Sequence, residues 1–226
     1  MKKLFLASSF KDVACIFANF EENLSGKTVT FIPTASVVEK VAFYVNSGKK
    51  AFEKLGLIVD VLEISTATSD EINTKLKGND FIYVTGGNTF FLLQELQRTG
   101  ADKIIIEEVN AGKLYIGESA GAMITAPNIE YAAAMDSVKK APALTSFDAL
   151  NLVEFYTVPH YTNAPFKKMA HKIVDSYSST LALSAISNNE AILIENDNVK
   201  IEKNKGIGLC YKNCNTSNLN EYEKPL

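Results

Sequence analysis

Ser119 stands at the centre of Gly117-Glu118-Ser119-Ala120-Gly121. That spacing suits a serine nucleophile on a sharp strand-to-helix turn. Glycines two residues before and two after the serine permit the close backbone approach and leave its hydroxyl clear of the chain. The helix that follows would aim unpaired N–H groups and a partial positive charge at the place where an oxyanion forms. A tight turn with a bystander serine has the same sequence, so the rest of the chain has to decide.

A serine nucleophile needs a base, and the chain holds two histidines. His171 falls beside Lys167, Lys168, Lys172 and Asp175, on the polar side of a predicted helix whose apolar stripe is Phe166, Met169, Ala170, Ile173, Val174 and Tyr177. Its spacing predicts a solvent-facing position. His160 follows Pro159 at the end of the predicted buried strand 155–158, and strand ends are where α/β proteins gather their sites. It is therefore the candidate base, with a satisfied core histidine as the alternative. Two carboxylates qualify to orient it. Glu190 closes the polar turn Ser187-Asn188-Asn189-Glu190 and opens an apolar strand; Asp136 lies in the alanine-rich stretch after the serine turn.

Gly86-Gly87-Asn88-Thr89 ends another predicted strand and begins the next helix, as the serine turn does. Its glycines let the backbone approach a ligand, and an N–H there would be a second oxyanion donor beside that of Ala120. A plain helix N-cap turn reads the same way. The stretch lacks both the dinucleotide-binding spacing and the Gly-Lys-Ser/Thr of a phosphate loop. Glu118 is acidic and is expected to face solvent.

The elements that must position these groups alternate. Strands are predicted at 3–7, 28–32, 57–64, 80–85 and 113–116. Helices are predicted at 13–24, from Val38 to Leu55, at 68–76, 89–98 and 102–110, with another starting at Ala122. That order implies right-handed βαβ units, a mainly parallel sheet and one three-layer domain. After His160 come the helix described above and short β runs at 182–187, 191–195, 199–202 and 206–211, with Asn196-Asp197-Asn198 as a hairpin turn. A single domain over 1–212 with a polar tail over 213–226 is expected.

At 226 residues, 46% hydrophobic and 22% charged, the composition is that of an ordinary soluble globule. A net charge of -3 gives no basic excess for nucleic acid or an anionic membrane, so neither is an expected partner. No apolar run of about 18 residues is present to span a bilayer. Cys15, Cys210 and Cys214 are too few for a disulfide framework and lack companions for a metal set, so reduced thiols and a cytoplasmic location are expected.

Taken together and in order, Thr85-Gly-Gly-Asn-Thr-Phe90, Gly117-Glu-Ser-Ala-Gly-Ala122 and Pro159-His-Tyr-Thr-Asn163 resemble the peptidase E (aspartyl dipeptidase) family of serine peptidases, related to cyanophycinase. The resemblance runs over about residues 1–210. It implies a class I glutamine amidotransferase-like, flavodoxin-like α/β fold, with no metal and no organic cofactor. It also implies a serine exopeptidase acting on short peptides, as a monomer or homodimer. Carried over by motif, Ser119 is the nucleophile, His160 the base, and Gly87, Asn88 and Ala120 the oxyanion and substrate-binding positions. Family members differ in the acid, and both Glu190 and Asp136 match a known pattern; Glu190 is preferred for its setting at a strand edge. The family's arginine for a substrate aspartate has no counterpart after His160. The nearest cations are Lys167, Lys168 and Lys172, with Lys167 the candidate contact, and lysine lacks the bidentate fork. An esterase or amidase with the same machinery, or a silent ligand-binding member of the fold, are the alternative readings.

Overall fold

Alternating apolar runs and amphipathic stretches dictate strands interleaved with helices. The computed structural model, which describes residues 1–206, shows that alternation. In order come β1 (Lys3–Ala7), α1 (Phe10–Phe20), β2 (Thr28–Ile32), α2 (Phe43–Lys54), β3 (Ile58–Val61), α3 (Ser69–Gly78), β4 (Phe81–Val84), α4 (Thr89–Thr99), α5 (Ala101–Asn110) and β5 (Leu114–Glu118). The single turn α6 (Ala120–Met123) follows Ser119. After a stretch of 3-10 turns come β6 (Tyr156–Val158), α7 (Lys167–Tyr177), β7 (Leu183–Ala185), β8 (Glu190–Glu195) and β9 (Asn198–Lys203).

The main sheet runs β3-β2-β4-β5-β1-β8-β9. The first five strands are parallel, and β8 and β9 add an antiparallel edge. Side chains alternate across the sheet as a pleat requires. Leu4, Leu6, Ile82, Val84 and Tyr115 enter the larger core beneath α3 to α7. Phe5, Ala7, Phe81, Tyr83, Leu114 and Ile116 enter an aromatic core beneath α1 and α2. There the Phe10 and Phe52 rings stack at 4.1 Å between α1 and α2. Helices on both faces of a mainly parallel sheet are the expected three-layer α/β architecture. Strands β6 and β7 pair parallel in a small separate sheet.

Two helix starts and one cysteine differ from expectation. Helix α1 begins at Phe10 rather than Val13, because a carboxylate from β5 accepts the Phe10 N–H (described below). Helix α2 begins at Phe43, not Val38, and Val41 is 57% exposed. The chain here is diverted by a 3-10 turn, Thr34–Ser36, whose Ala35 carbonyl accepts the Asn88 N–H at 2.8 Å. Cys15 on α1 is disulfide-bonded, where reduced thiols were expected. Cys210, Cys214, the predicted strand at 206–211 beyond Gly206, and the tail over 213–226 lie outside the described residues.

Candidate active site

The C-terminal ends of adjacent parallel strands β4 and β5 bring Gly86-Gly87 against Ser119. The backbone reverses sharply at Ser119, which has φ 50° and ψ −107°, a conformation that side-chain-bearing residues seldom adopt. Its N–H donates to Ala7 O of β1 at 2.8 Å, and its carbonyl accepts from Ala122 and Met123. The surrounding glycines are there for room. A Cβ on Gly117 would sit 2.4 Å from Gly121 O, one on Gly121 would sit 2.2 Å from Val84 O, and one on Gly87 would sit 2.1 Å from Ala35 O. Gly86 faces Ser119 itself, with its Cβ position 3.2 Å from the serine Cβ. Among the described residues, neither the Gly87 nor the Ala120 N–H has a hydrogen-bond partner.

His160 follows β6 with φ 60°. Its N–H donates to Ser8 Oγ at 3.0 Å, and Ser8 Oγ–H donates to Ile186 O at 3.0 Å, so the end of β1 anchors the loop. The imidazole Nε2 lies 3.1 Å from Ser119 Oγ, and Nδ1 lies 2.7 Å from Asn188 Oδ1. An amide oxygen only accepts, which fixes the proton on Nδ1 and leaves Nε2 free to accept from the serine hydroxyl. The Phe166 ring stacks on the imidazole at 5.0 Å. Burial holds the His160 pKa below its ordinary 6.5, and the Asn188 bond works in the opposite sense.

The structure thus brings Ser119 and His160 together and places neither expected carboxylate on the imidazole. Glu190 accepts from its own turn, from Ser187 N at 2.9 Å and Ser187 Oγ at 2.8 Å, and pairs with Lys203 at 3.3 Å. Asp136 caps α4 instead, accepting from Thr89 N at 2.9 Å and Oγ1 at 2.6 Å. Burial pushes its pKa up, with the Thr89 bonds opposing. Asn88 is 1% exposed, and both ends of its amide are bonded: Oδ1 accepts from Phe91 N and Nδ2 donates to Ser137 O. It is the N-cap of α4. Lys167 is exposed at the start of α7, one residue past Phe166.

Two further expectations are corrected. Glu118 does not face solvent; it is 5% exposed and accepts from Phe10 N at 2.9 Å and from Tyr83 O–H at 2.5 Å. Burial raises its pKa, with these donors and the Gly86 N–H opposing. A strand residue next to a serine that must face up necessarily points into the opposite core, which is why it is buried. His171 is half-buried, stacked on Tyr161 at 4.5 Å, and its Nε2 is buried without a partner among the described residues. Among the described residues no group of His, Cys, Asp and Glu is arranged to hold a metal.

Comparison with known proteins identifies the family. The chain is 65% identical over 199 residues to an uncharacterized peptidase of Listeria innocua, covering 88% of this chain and 95% of that protein. A crystal structure described as a candidate peptidase E protein from Listeria monocytogenes EGD-e superposes with a TM-score of 0.87 at 64% identity, over 90% of this chain and 98% of that one. Peptidase E of a Nostoc species is 34% identical over 140 residues, 62% of this chain and 54% of that protein. The model of peptidase family S51 matches residues 4–202, from β1 into β9 and through both Ser119 and His160. The chain therefore belongs to peptidase family S51 and is a serine-type peptidase.

Proposed function

We propose that this chain hydrolyses short peptides through an acyl-enzyme on Ser119, with His160 as base and Asn188 as the group that orients it. The observation carrying this reading is the imidazole bridge, 3.1 Å to Ser119 Oγ on one side and 2.7 Å to Asn188 Oδ1 on the other. Ser119 Oγ attacks the scissile carbonyl carbon while its proton passes to Nε2. The carbonyl oxygen, now an oxyanion, accepts from the unpartnered N–H groups of Gly87 and Ala120. The imidazolium then returns the proton to the peptide nitrogen as the C–N bond breaks and the amine leaves. Water, losing a proton to Nε2, attacks the acyl carbon, and Ser119 departs with that proton.

The finer part of the proposal is an exopeptidase acting at a chain end, with Lys167 receiving a substrate carboxylate. Lys167 follows the residue whose ring covers His160, and its side chain makes no hydrogen bond or ion pair among the described residues. A single ammonium attracts a carboxylate without arginine's geometric selectivity, so the preference for Asp over Glu is expected to be loose. The working unit is the domain over 1–212, with no nucleic acid or membrane surface as partner; no helix of the described residues is long and apolar enough to cross a membrane.

The test is hydrolysis of Asp-Xaa, Glu-Xaa and neutral dipeptides and aryl amides by wild type, Ser119→Ala and Lys167→Ala. Cleavage abolished by Ser119→Ala, with KM for acidic substrates raised by Lys167→Ala, is the expected result. Cleavage that survives Ser119→Ala would discard the mechanism. Equal effects of Lys167→Ala on acidic and neutral peptides would discard the carboxylate contact.

A further inference from the structure

During turnover His160 becomes an imidazolium, and on the reading above no carboxylate lies beside it. The amide oxygen of Asn188 fixes the tautomer but carries no full charge, so it stabilises the cation less than an ionised acid does. Burial adds to the difficulty, because a cation removed from water is disfavoured. One group in contact with the ring can compensate. The Phe166 ring lies 5.0 Å from the imidazole centroid with 28° between planes, presenting its electron-rich face.

We propose that Phe166 is a positioning residue for His160, and that its π face supplies part of the imidazolium stabilisation that an orienting carboxylate would otherwise provide. The contact is built into the fold. Asn163 N donates to His160 O at 3.0 Å and Asn163 Oδ1 accepts from Asn188 N at 2.9 Å. Asn163 O accepts from Lys167 N at 2.8 Å, directly after Phe166. One asparagine therefore ties together the backbones that carry the imidazole, its orienting amide and its stacked ring. A cation over an aromatic face is attracted by the ring quadrupole; Phe166 itself is 36% exposed.

The charged groups nearest in the fold do not replace this contact. Glu118, beside Ser119, points into the opposite core and is held by Phe10, Tyr83 and Gly86. Glu190 on β8 is held by Ser187 and Lys203, Asp12 on α1 pairs with Lys11, and Asp136 caps α4. Lys167 and Lys168 on α7 are exposed, and a cation there opposes an imidazolium. None of these groups hydrogen-bonds or ion-pairs with His160 among the described residues.

The proposal relies on the serine-type reading for its place in turnover, while the effect on the imidazole is measurable without turnover. The full chain is made with 4-fluoro-, 3,5-difluoro- and 3,4,5-trifluorophenylalanine at position 166, which withdraws π density at nearly constant shape. The His160 pKa is then followed by NMR, with His171→Asn separating the two imidazole signals. We expect the pKa to fall with each added fluorine, by about half a unit across the series. The acid limb of kcat/KM should move down with it, and kcat should fall in step. A His160 pKa unchanged across the series overturns the proposal. A falling pKa with unchanged kcat overturns the contribution to turnover. Absence of Ser119-dependent hydrolysis would refute the serine reading alone and leave the titration to decide on Phe166.

Discussion

An amide behind an imidazole holds its tautomer as a carboxylate does, but adds no charge to it. Removing Asn188 therefore removes orientation and one neutral hydrogen bond that favours the imidazolium, and we expect Asn188→Ala to lower kcat on the order of a hundredfold with KM little changed. Asn188→Asp keeps an acceptor 2.7 Å from Nδ1 and adds an anion, which favours the imidazolium and raises the His160 pKa. The acid limb of kcat/KM, expected below pH 6.5 in the wild type because burial lowers the pKa, should then move to higher pH. Glu190→Gln and Asp136→Asn should each cost less than about tenfold, since each carboxylate serves another element. Full kinetics of the four variants on one peptide check this, and a Glu190→Gln loss larger than that of Asn188→Ala would return the role to the acid. The sequence showed Ser119 and His160 because each rides on a pattern, one flanked by glycines and the other ending an apolar strand. Asn188 was not legible: in Ser187-Asn188-Asn189-Glu190 nothing local says which side chain turns toward His160. The carboxylate that drew attention is taken by Ser187, the first residue of the same turn.

At the scale of elements, strands and their order were readable from apolar runs, whereas helix starts were set by contacts distant in sequence. Val38 and Val41 are spaced like a helix face, yet the chain just before them, at Ala35-Ser36, passes over Gly87, and α2 waits until Phe43. Helix α1 starts early because Glu118, 108 residues later, accepts its first N–H. Close passages of this kind leave no room for substitution. Gly121→Ala puts a methyl 2.2 Å from Val84 O of the neighbouring strand and is expected to destabilise by about 3 kcal/mol or more, read from denaturant midpoints. A loss below about 1 kcal/mol would mean that the serine turn relaxes. Glu118 should tie stability to pH. Its folded pKa lies above the unfolded value, so its contribution is full below about pH 4.5 and is lost as pH rises through the folded pKa. Glu118→Gln removes this titration. The Tm of wild type minus that of Glu118→Gln should therefore grow as pH falls from 8 to 5, and a constant difference would show that the buried carboxylate titrates normally.

Over the whole molecule, the main sheet carries the Ser119 turn and the Gly86-Gly87 turn, while the small β6-β7 sheet brings His160 to them. Among the described residues, both cores, the sheet partners and the groups around His160 lie between Lys3 and Asn204. The five parallel strands followed from the alternation of elements and the β8–β9 hairpin from its polar turn, but the antiparallel pairing of β8 with β1 did not follow from any apolar pattern. A short polar turn at Asn196-Asp197-Asn198 forces β9 back along β8, and β8 in turn runs against β1, so the C-terminal hairpin closes the side of the sheet that carries Ser8. The family match ends at residue 202, and the Listeria crystal structure covers 90% of this chain while using 98% of its own. We therefore expect a chain ending at residue 212 to unfold in one cooperative transition and to keep kcat/KM within about twofold, as a self-contained core implies. Calorimetry and peptide hydrolysis test this, with and without reductant because Cys15 is disulfide-bonded. A second transition, or a loss of turnover beyond about tenfold, would mean that residues 213–226 belong to the folded unit or to the site, since nothing in the sheet would otherwise have changed.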